Sequence, residues 1–143
     1  MHVAAILKDK GRAVETVTAQ ATLMDVTKKL SSARIGAVVV IDGAGALVGI
    51  ISERDIIRVV GTDGPAALEW PVSSVMTQSV MTCRESDSVD KLMSVMTERR
   101  FRHLPVVEKG RLAGIISIGD VVKHRVAEVE TEATFMRDYI TAA

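Results

Sequence analysis

The chain has 143 residues, with 18 Lys+Arg against 18 Asp+Glu and so no net formal charge. Its length holds one domain or two small ones, and the balanced charge excludes a dedicated polyanion binder, so nucleic acid is not expected as the main ligand. Aromatics at 3% are too few for a base-stacking surface, whereas 48% apolar and 25% charged residues match an ordinary folded domain.

The N-terminal run Val3-Ala-Ala-Ile-Leu7 is broken by charge at Lys8 and does not read as a signal peptide. A short polar strand is predicted around 15–18. An amphipathic helix follows, marked by Leu23, Val26, Leu30 and Ala33, whose spacing of three and four keeps one apolar face toward a core. Thr22 to Asp25 has the form of a capping box at its start. Two β-branched runs, 37–41 and 47–51, flank an Asp-Gly-Ala-Gly turn and predict a hairpin. Ser52 opens a second helix that Gly61 is expected to stop, and residues 61–71 carry the Gly/Pro punctuation of a linker.

The same order then returns: a strand around 81–84, a helix marked by Val89, Leu92, Met93 and Met96, and a hairpin of 104–107 and 112–116 around Lys109-Gly110. Ser117 opens the last helix. That helix continues as a seam of Val122, Val126, Val129, Ala133, Met136 and Ile140, flanked by Glu128, Glu130 and Glu132. Such a seam either folds back on its own module or meets a second copy. The absence of a counterpart in the first half favours the second copy, and a homodimer is expected. No window approaches the roughly 18 apolar residues of a membrane span. Cys83 is the single cysteine, which excludes an internal disulfide. The expected setting is the cytoplasm, with no membrane partner.

Sliding residues 14–42 onto 80–108 pairs Thr16 with Thr82, Arg34 with Arg100 and Val40 with Val106. After a one-residue deletion in the turn, Leu47, Gly49, Ile50, Ile51, Ser52 and Asp55 fall on Leu112, Gly114, Ile115, Ile116, Ser117 and Asp120. Even the lead-ins match, 3–7 with 72–76. The chain is therefore a tandem repeat. The fold class is α/β (α+β): two β-α-β-β-α units packed sheet to sheet with pseudo-twofold symmetry, plus an extended C-terminal helix. Expected boundaries are 1–66 for the first repeat with its lead-in, 67–127 for the linker and second repeat, and 128–143 for the extension.

Arg34-Ile-Gly-Ala-Val-Val-Val with Leu47-Val-Gly-Ile-Ile-Ser-Glu-Arg-Asp55, and Arg100-Phe-Arg-His-Leu-Pro-Val-Val with Leu112-Ala-Gly-Ile-Ile-Ser-Ile-Gly-Asp120, together resemble a stand-alone pair of CBS domains, a Bateman module. The resemblance covers essentially the whole chain. It implies a regulatory module that binds AMP, ADP, ATP, NAD(H) or S-adenosylmethionine between the repeats, forms disk-shaped dimers, and signals to an effector protein in trans.

The Ser-x-x-Asp at each second helix has two readings. As a capping box, the serine accepts a helix N–H and the acid favours the positive end of the dipole, which is the commoner use. As a ligand site, Asp55 or Asp120 accepts two hydrogen bonds from a ribose diol, and the resemblance tips the balance that way, with Ser52 and Ser117 beside them. Thr16 and Thr82 are either strand formers or, by the resemblance, contacts to base or ribose. Ile35 and Phe101 are either core or the lining of an adenine slot. Arg102 and His103 belong to a charged helix–strand corner that ordinarily is solvated; the resemblance turns them, with Pro105 following, toward a ligand phosphate, for which an arginine fork is suited.

The first repeat has Gly36-Ala37 at that corner, and Arg54 is matched by Gly119. The resemblance implies that each cleft takes its Asp from one repeat and its corner from the other, so two unequal clefts are expected: Asp55 with Arg102 and His103 for a compact phosphate, and Asp120 with Gly36 and Ala37 near Arg54, roomy enough for a dinucleotide. No catalytic cofactor, metal or enzyme activity is expected. His2, His103 and His124 lack ligand spacing, Cys83 has no CxxC partner, and neither GxGxxG nor a P-loop occurs. The rival reading is a structural dimerisation module with vestigial clefts.

Overall fold

The computed structural model describes residues 1–142. Its elements run in chain order: α1 (Val3–Lys10), β1 (Thr16–Thr18), α2 (Leu23–Ala33), β2 (Ala37–Ile41), β3 (Leu47–Ser52), α3 (Glu53–Asp63), α4 (Val89–Arg99), β4 (His103–Glu108), β5 (Arg111–Ser117) and α5 (Ile118–Ala142). The class expected from the sequence, mixed α and β in two repeats with a long last helix, is the one seen.

In the first repeat β1 pairs parallel to β2, and β2 pairs antiparallel to β3. In the second, β4 pairs with β5 alone. The expected strand at 81–84 contracts to one parallel bridge, Cys83 to Val106. The cause is local: the amide of Arg84 donates to the Asp87 carboxylate at 2.8 Å and that of Glu85 to the Glu108 carboxylate at 2.7 Å, so the chain turns after one paired residue. Both hairpins break register at equivalent places, Val40/Ile41 and Val106/Val107. The second hairpin turns through Lys109 and Gly110, both at positive φ.

The helix starts follow the capping logic. The Thr22 hydroxyl accepts from the Asp25 amide, and the Asp25 carboxylate accepts in return from the Thr22 amide. Gly61 does not stop α3. The helix runs to Asp63 and ends at Gly64, whose φ of 86° a glycine takes without a Cβ penalty. The linker is thus partly helical, continuing as a 3₁₀ turn over Pro65–Glu69 that buries Ala67.

Each repeat has its own core, and each core borrows the other repeat's lead-in. Leu23, Val26, Leu30, Val38, Val40, Ile51 and Ile56 of the first half close around Val72 and Met76. Leu92, Met96, Leu104, Val106, Ile116 and Val121 of the second close around Val3, Ile6 and Leu7 of α1. The repeated glycines are the sockets for this exchange. A Cβ on Gly49 would lie 2.6 Å from Met76 Sδ, and one on Gly114 would lie 2.6 Å from Leu7 Cδ2. Only a residue without a side chain admits the lead-in at that depth.

Beyond Val121 the last helix leaves the core. Val122, Val126, Val129, Met136 and Ile140 are all exposed, so the helix does not fold back on its module. Phe135 and Tyr139, outside the predicted seam, are 72% and 77% exposed. No helix among the described residues is long and apolar enough to cross a membrane.

Candidate functional site

The start of α3 and the start of α5 are built alike. Glu53 N donates to the Gly36 carbonyl at 2.9 Å, and Ile118 N to the Arg102 carbonyl at 2.8 Å, so each helix begins against the corner of its own hairpin. Asp55 Oδ2 accepts from Ser52 N at 2.9 Å and Ser52 Oγ at 3.1 Å. Asp120 Oδ2 accepts from Ser117 N at 2.9 Å, and Asp120 N donates to Ser117 Oγ at 3.1 Å. The capping role read from the sequence is therefore met in both repeats.

The corners themselves are reached through Arg34 and Arg100, which cap α2 and α4 in the left-handed conformation at φ 55° and 57°. Neither is glycine, so each carries a local backbone cost of about 1 kcal/mol. The two corners meet. A Cβ on Gly36 would lie 3.3 Å from the His103 ring, so the small residue in one repeat makes room for the imidazole of the other.

Between them lies a cavity of about 620 Å³. The first repeat lines it with Gly36, Ala37, Ile50, Ser52 and the start of α3 from Glu53 to Asp55. The second contributes Phe101, Arg102 and His103 from the corner, with Ser117 and Gly119 from the start of α5. Asp55 and the Arg102/His103 corner are thus brought to one space. Arg54, expected near the cleft of Asp120, lines this space, because α3 starts at Glu53 and its first turn places Glu53, Arg54 and Asp55 along one wall. Gly36 and Ala37 likewise belong to this cavity.

Thr16, Ile35, Thr82, Pro105 and Asp120 do not line it. Thr16 pairs with Val39 on β1, Ile35 packs on the first core, and Thr82 is exposed beside the bridge at Cys83. Pro105 is buried in β4 opposite Ile115. Asp120 is bonded by Lys10, whose Nζ donates to Oδ2 at 2.7 Å.

Sequence reasoning missed Arg58, Thr77, Arg99 and Arg100 as cavity residues. The Arg99-Arg-Phe-Arg run is legible as a charged cluster, but nothing in it shows which way it faces. Five arginines (54, 58, 99, 100 and 102) line the space against two carboxylates, Glu53 and Asp55, giving an anion-favouring wall in a neutral chain. Thr77 pairs its backbone with Ile50 at 2.9 and 3.0 Å.

His103 is held below its ordinary titration range, by burial first and by the Lys10 ammonium next, against the opposing pull of Glu53 and Asp120. It stands neutral at pH 7. Asp120 feels burial most strongly, which raises its pKa, yet the Lys10 ammonium and the Ser117 groups outweigh this and hold the carboxyl below its usual range. Cys83 is pushed up to about 12 by burial, with Asp87 adding to the effect, so it stays a thiol and an inert part of the core. Among the described residues no cluster of three or more His, Cys, Asp or Glu side chains is placed to hold a metal ion.

The CBS domain family matches the chain twice, over residues 8–62 and 72–127. The mitochondrial CBS domain-containing protein CBSX3 of Arabidopsis thaliana is 32% identical, over 94% of this chain and 69% of its own length. Among solved structures, the CBS-domain containing protein ATU1752 from Agrobacterium tumefaciens is 47% identical with a TM-score of 0.85, covering 87% of this chain and 99% of that one. The CBS domain protein PAE2072 from Pyrobaculum aerophilum, complexed with AMP, is 28% identical with a TM-score of 0.75, covering 84% and 89%.

Proposed function

The chain belongs to the CBS domain family, and from that premise we propose that it is a non-enzymatic regulatory module that binds an adenosine nucleotide between its repeats. The observation that carries the reading is the joining of Asp55 to the Arg102/His103 corner across one cavity. The carboxylate oxygen left outside the cap, with two lone pairs, suits a ribose diol, and an arginine fork suits phosphate. The relative that holds AMP at 28% identity favours that ligand class, and five arginines in the lining favour a phosphorylated adenosine over an uncharged one. Phe101 and Ile50, both half-buried, supply the apolar surface for a base.

In this reading Asp55 keeps Oδ2 on the helix cap and turns Oδ1 to the ligand, where its present neighbour is Arg58 at 3.9 Å. Arg102 is exposed and free to reach a phosphate; His103 donates or accepts as a neutral ring. The exposed seam of α5 closes on a second copy, and an effector in trans reads the geometry of the pair. Binding shifts that geometry only to the extent that the nucleotide prefers one arrangement. NAD(H) and S-adenosylmethionine are the rival ligands within the same class.

The satisfied capping boxes favour the second reading, a dimerisation module with idle clefts, because Asp55 is already accounted for as a cap. Titration calorimetry separates the two. AMP, ATP, NAD+ and S-adenosylmethionine are titrated into the protein and into Asp55→Asn, which keeps one acceptor for the cap. Saturable binding that weakens about 10-fold or more in the variant is expected. No heat with any of the four would leave the dimerisation module.

A further inference from the structure

The two cap carboxylates differ in what already holds them. Asp120 Oδ2 takes the Lys10 ammonium at 2.7 Å, and the same Nζ donates to the Ile115 carbonyl at 2.9 Å. In the first repeat the equivalent carbonyl, Ile50, instead accepts the Thr77 backbone amide at 2.9 Å, and the cation paired with Asp55 is Arg58 at 3.9 Å. Lys10 is exposed, but its backbone is fixed. It closes α1, whose Val3, Ile6 and Leu7 are sunk in the second core, and whose end is set by Gly11 at φ 96°. Immediately beyond, Arg12 pairs with Glu85 of the second repeat. The ammonium is therefore delivered by a docked helix to one of the two repeat-related carboxylates and not to the other.

We propose that Lys10 is a built-in occupant of the second cleft, so that each chain takes one nucleotide, at Asp55, while Asp120 is withheld. This rests on the adenosine reading above. A ligand approaching Asp120 must displace two hydrogen bonds donated by a charged group, one of them an ion pair. That weakens the second site by roughly 10- to 100-fold, the scale of one charge-assisted hydrogen bond left uncompensated. The asymmetry between sites then comes from the lead-in helix of the first repeat and not from the bulk of the corner residues. Removing the ammonium opens the second site while keeping every residue that lines the first; there it lifts only the Lys10 contribution to His103, which burial still holds below its ordinary range.

The test is AMP titration calorimetry on the wild type, Lys10→Met, Lys10→Arg, Asp120→Asn and the double variant Lys10→Met/Asp120→Asn. One AMP per chain is expected in the wild type and in Asp120→Asn, two in Lys10→Met, one again in the double variant, and one in Lys10→Arg, which keeps the cation. Lys10→Met remaining at one overturns the proposal, and so does a wild type that takes two with one lost in Asp120→Asn. In both cases the adenosine reading survives. A readout free of nucleotide is the Asp120 carboxyl followed by carbon-detected NMR against pH. Its midpoint is expected to rise in Lys10→Met, and an unchanged midpoint overturns the occupancy whether or not AMP binds. Absence of AMP binding in every form ends the adenosine reading and the proposal together.

Discussion

The exchange of lead-ins between the cores can be tested through one pair of residues, Leu7 and Gly114. Leu7 is 1% exposed, and its Cδ2 lies 2.6 Å from where a Gly114 Cβ would stand. Leu7→Ala leaves a void in a core that only α1 can fill, which costs about 3 kcal/mol. With an unfolding entropy near ~0.3 kcal/mol/K for a chain of this length, Tm falls by about 10 °C. Gly114→Ala alone places a methyl inside the leucine and costs about 1–3 kcal/mol by overpacking. In the double variant the clashing leucine methyls are gone, and the methyl introduced by Gly114→Ala fills part of the void. The two changes are therefore expected to couple by at least about 1 kcal/mol in the favourable direction. Urea unfolding of the four proteins, followed by far-UV circular dichroism, reads all the terms. Additivity within about 0.5 kcal/mol, or a Leu7→Ala cost below about 1 kcal/mol, would refute the docking of α1 on β5.

Three further outcomes follow from the site and the last helix. Arg102→Ala is expected to weaken AMP about tenfold while leaving adenosine within about twofold, because only the phosphate loses a partner; equal losses for both ligands in parallel titrations would remove Arg102 from the phosphate. Since burial and Lys10 depress the folded His103 pKa below its unfolded value of about 6.5, the stability present above pH 6.5 is lost as pH falls through the folded value. His103→Gln should flatten that slope in urea unfolding between about pH 5 and 7.5, and an unchanged slope contradicts the assignment. If α5 joins two copies as proposed, Val129→Glu with Met136→Glu, both on its exposed face, should leave stability within about 0.5 kcal/mol yet halve the mass seen by sedimentation equilibrium; an unchanged mass, or a wild type already at the monomer mass, removes the proposed contact.

Much of this architecture is legible because it is written locally and twice. The hairpins carry their own β-branched runs and turn residues, and the Ser-x-x-Asp pattern fixes two helix starts through bonds within four residues. The strand expected at 81–84 shrinks because the Glu108 carboxylate takes the Glu85 amide, the next one that would have joined the ladder after Cys83, while Asp87 turns the chain by accepting from Arg84. Gly61 fails as a stop because a helix tolerates one glycine when a better terminator, Gly64, lies a turn beyond. The pairing of Asp55 with Arg102 and His103 is expected from the family resemblance, and repeat arithmetic alone does not reach it. The presence of Arg54 in the same space, and the reach of Lys10 to Asp120 across 110 positions of sequence, depend on how the repeats face each other. No local pattern encodes either.

The most direct measurement is the crystal structure of the protein grown with AMP. One nucleotide per chain is expected in the cavity between the repeats. Its ribose hydroxyls should lie on Asp55 Oδ1, its phosphate on Arg102 beside His103, and Lys10 should still be bonded to Asp120. A nucleotide seated on Asp120 with Lys10 swung away, or AMP-free cavities at saturating ligand, would contradict it.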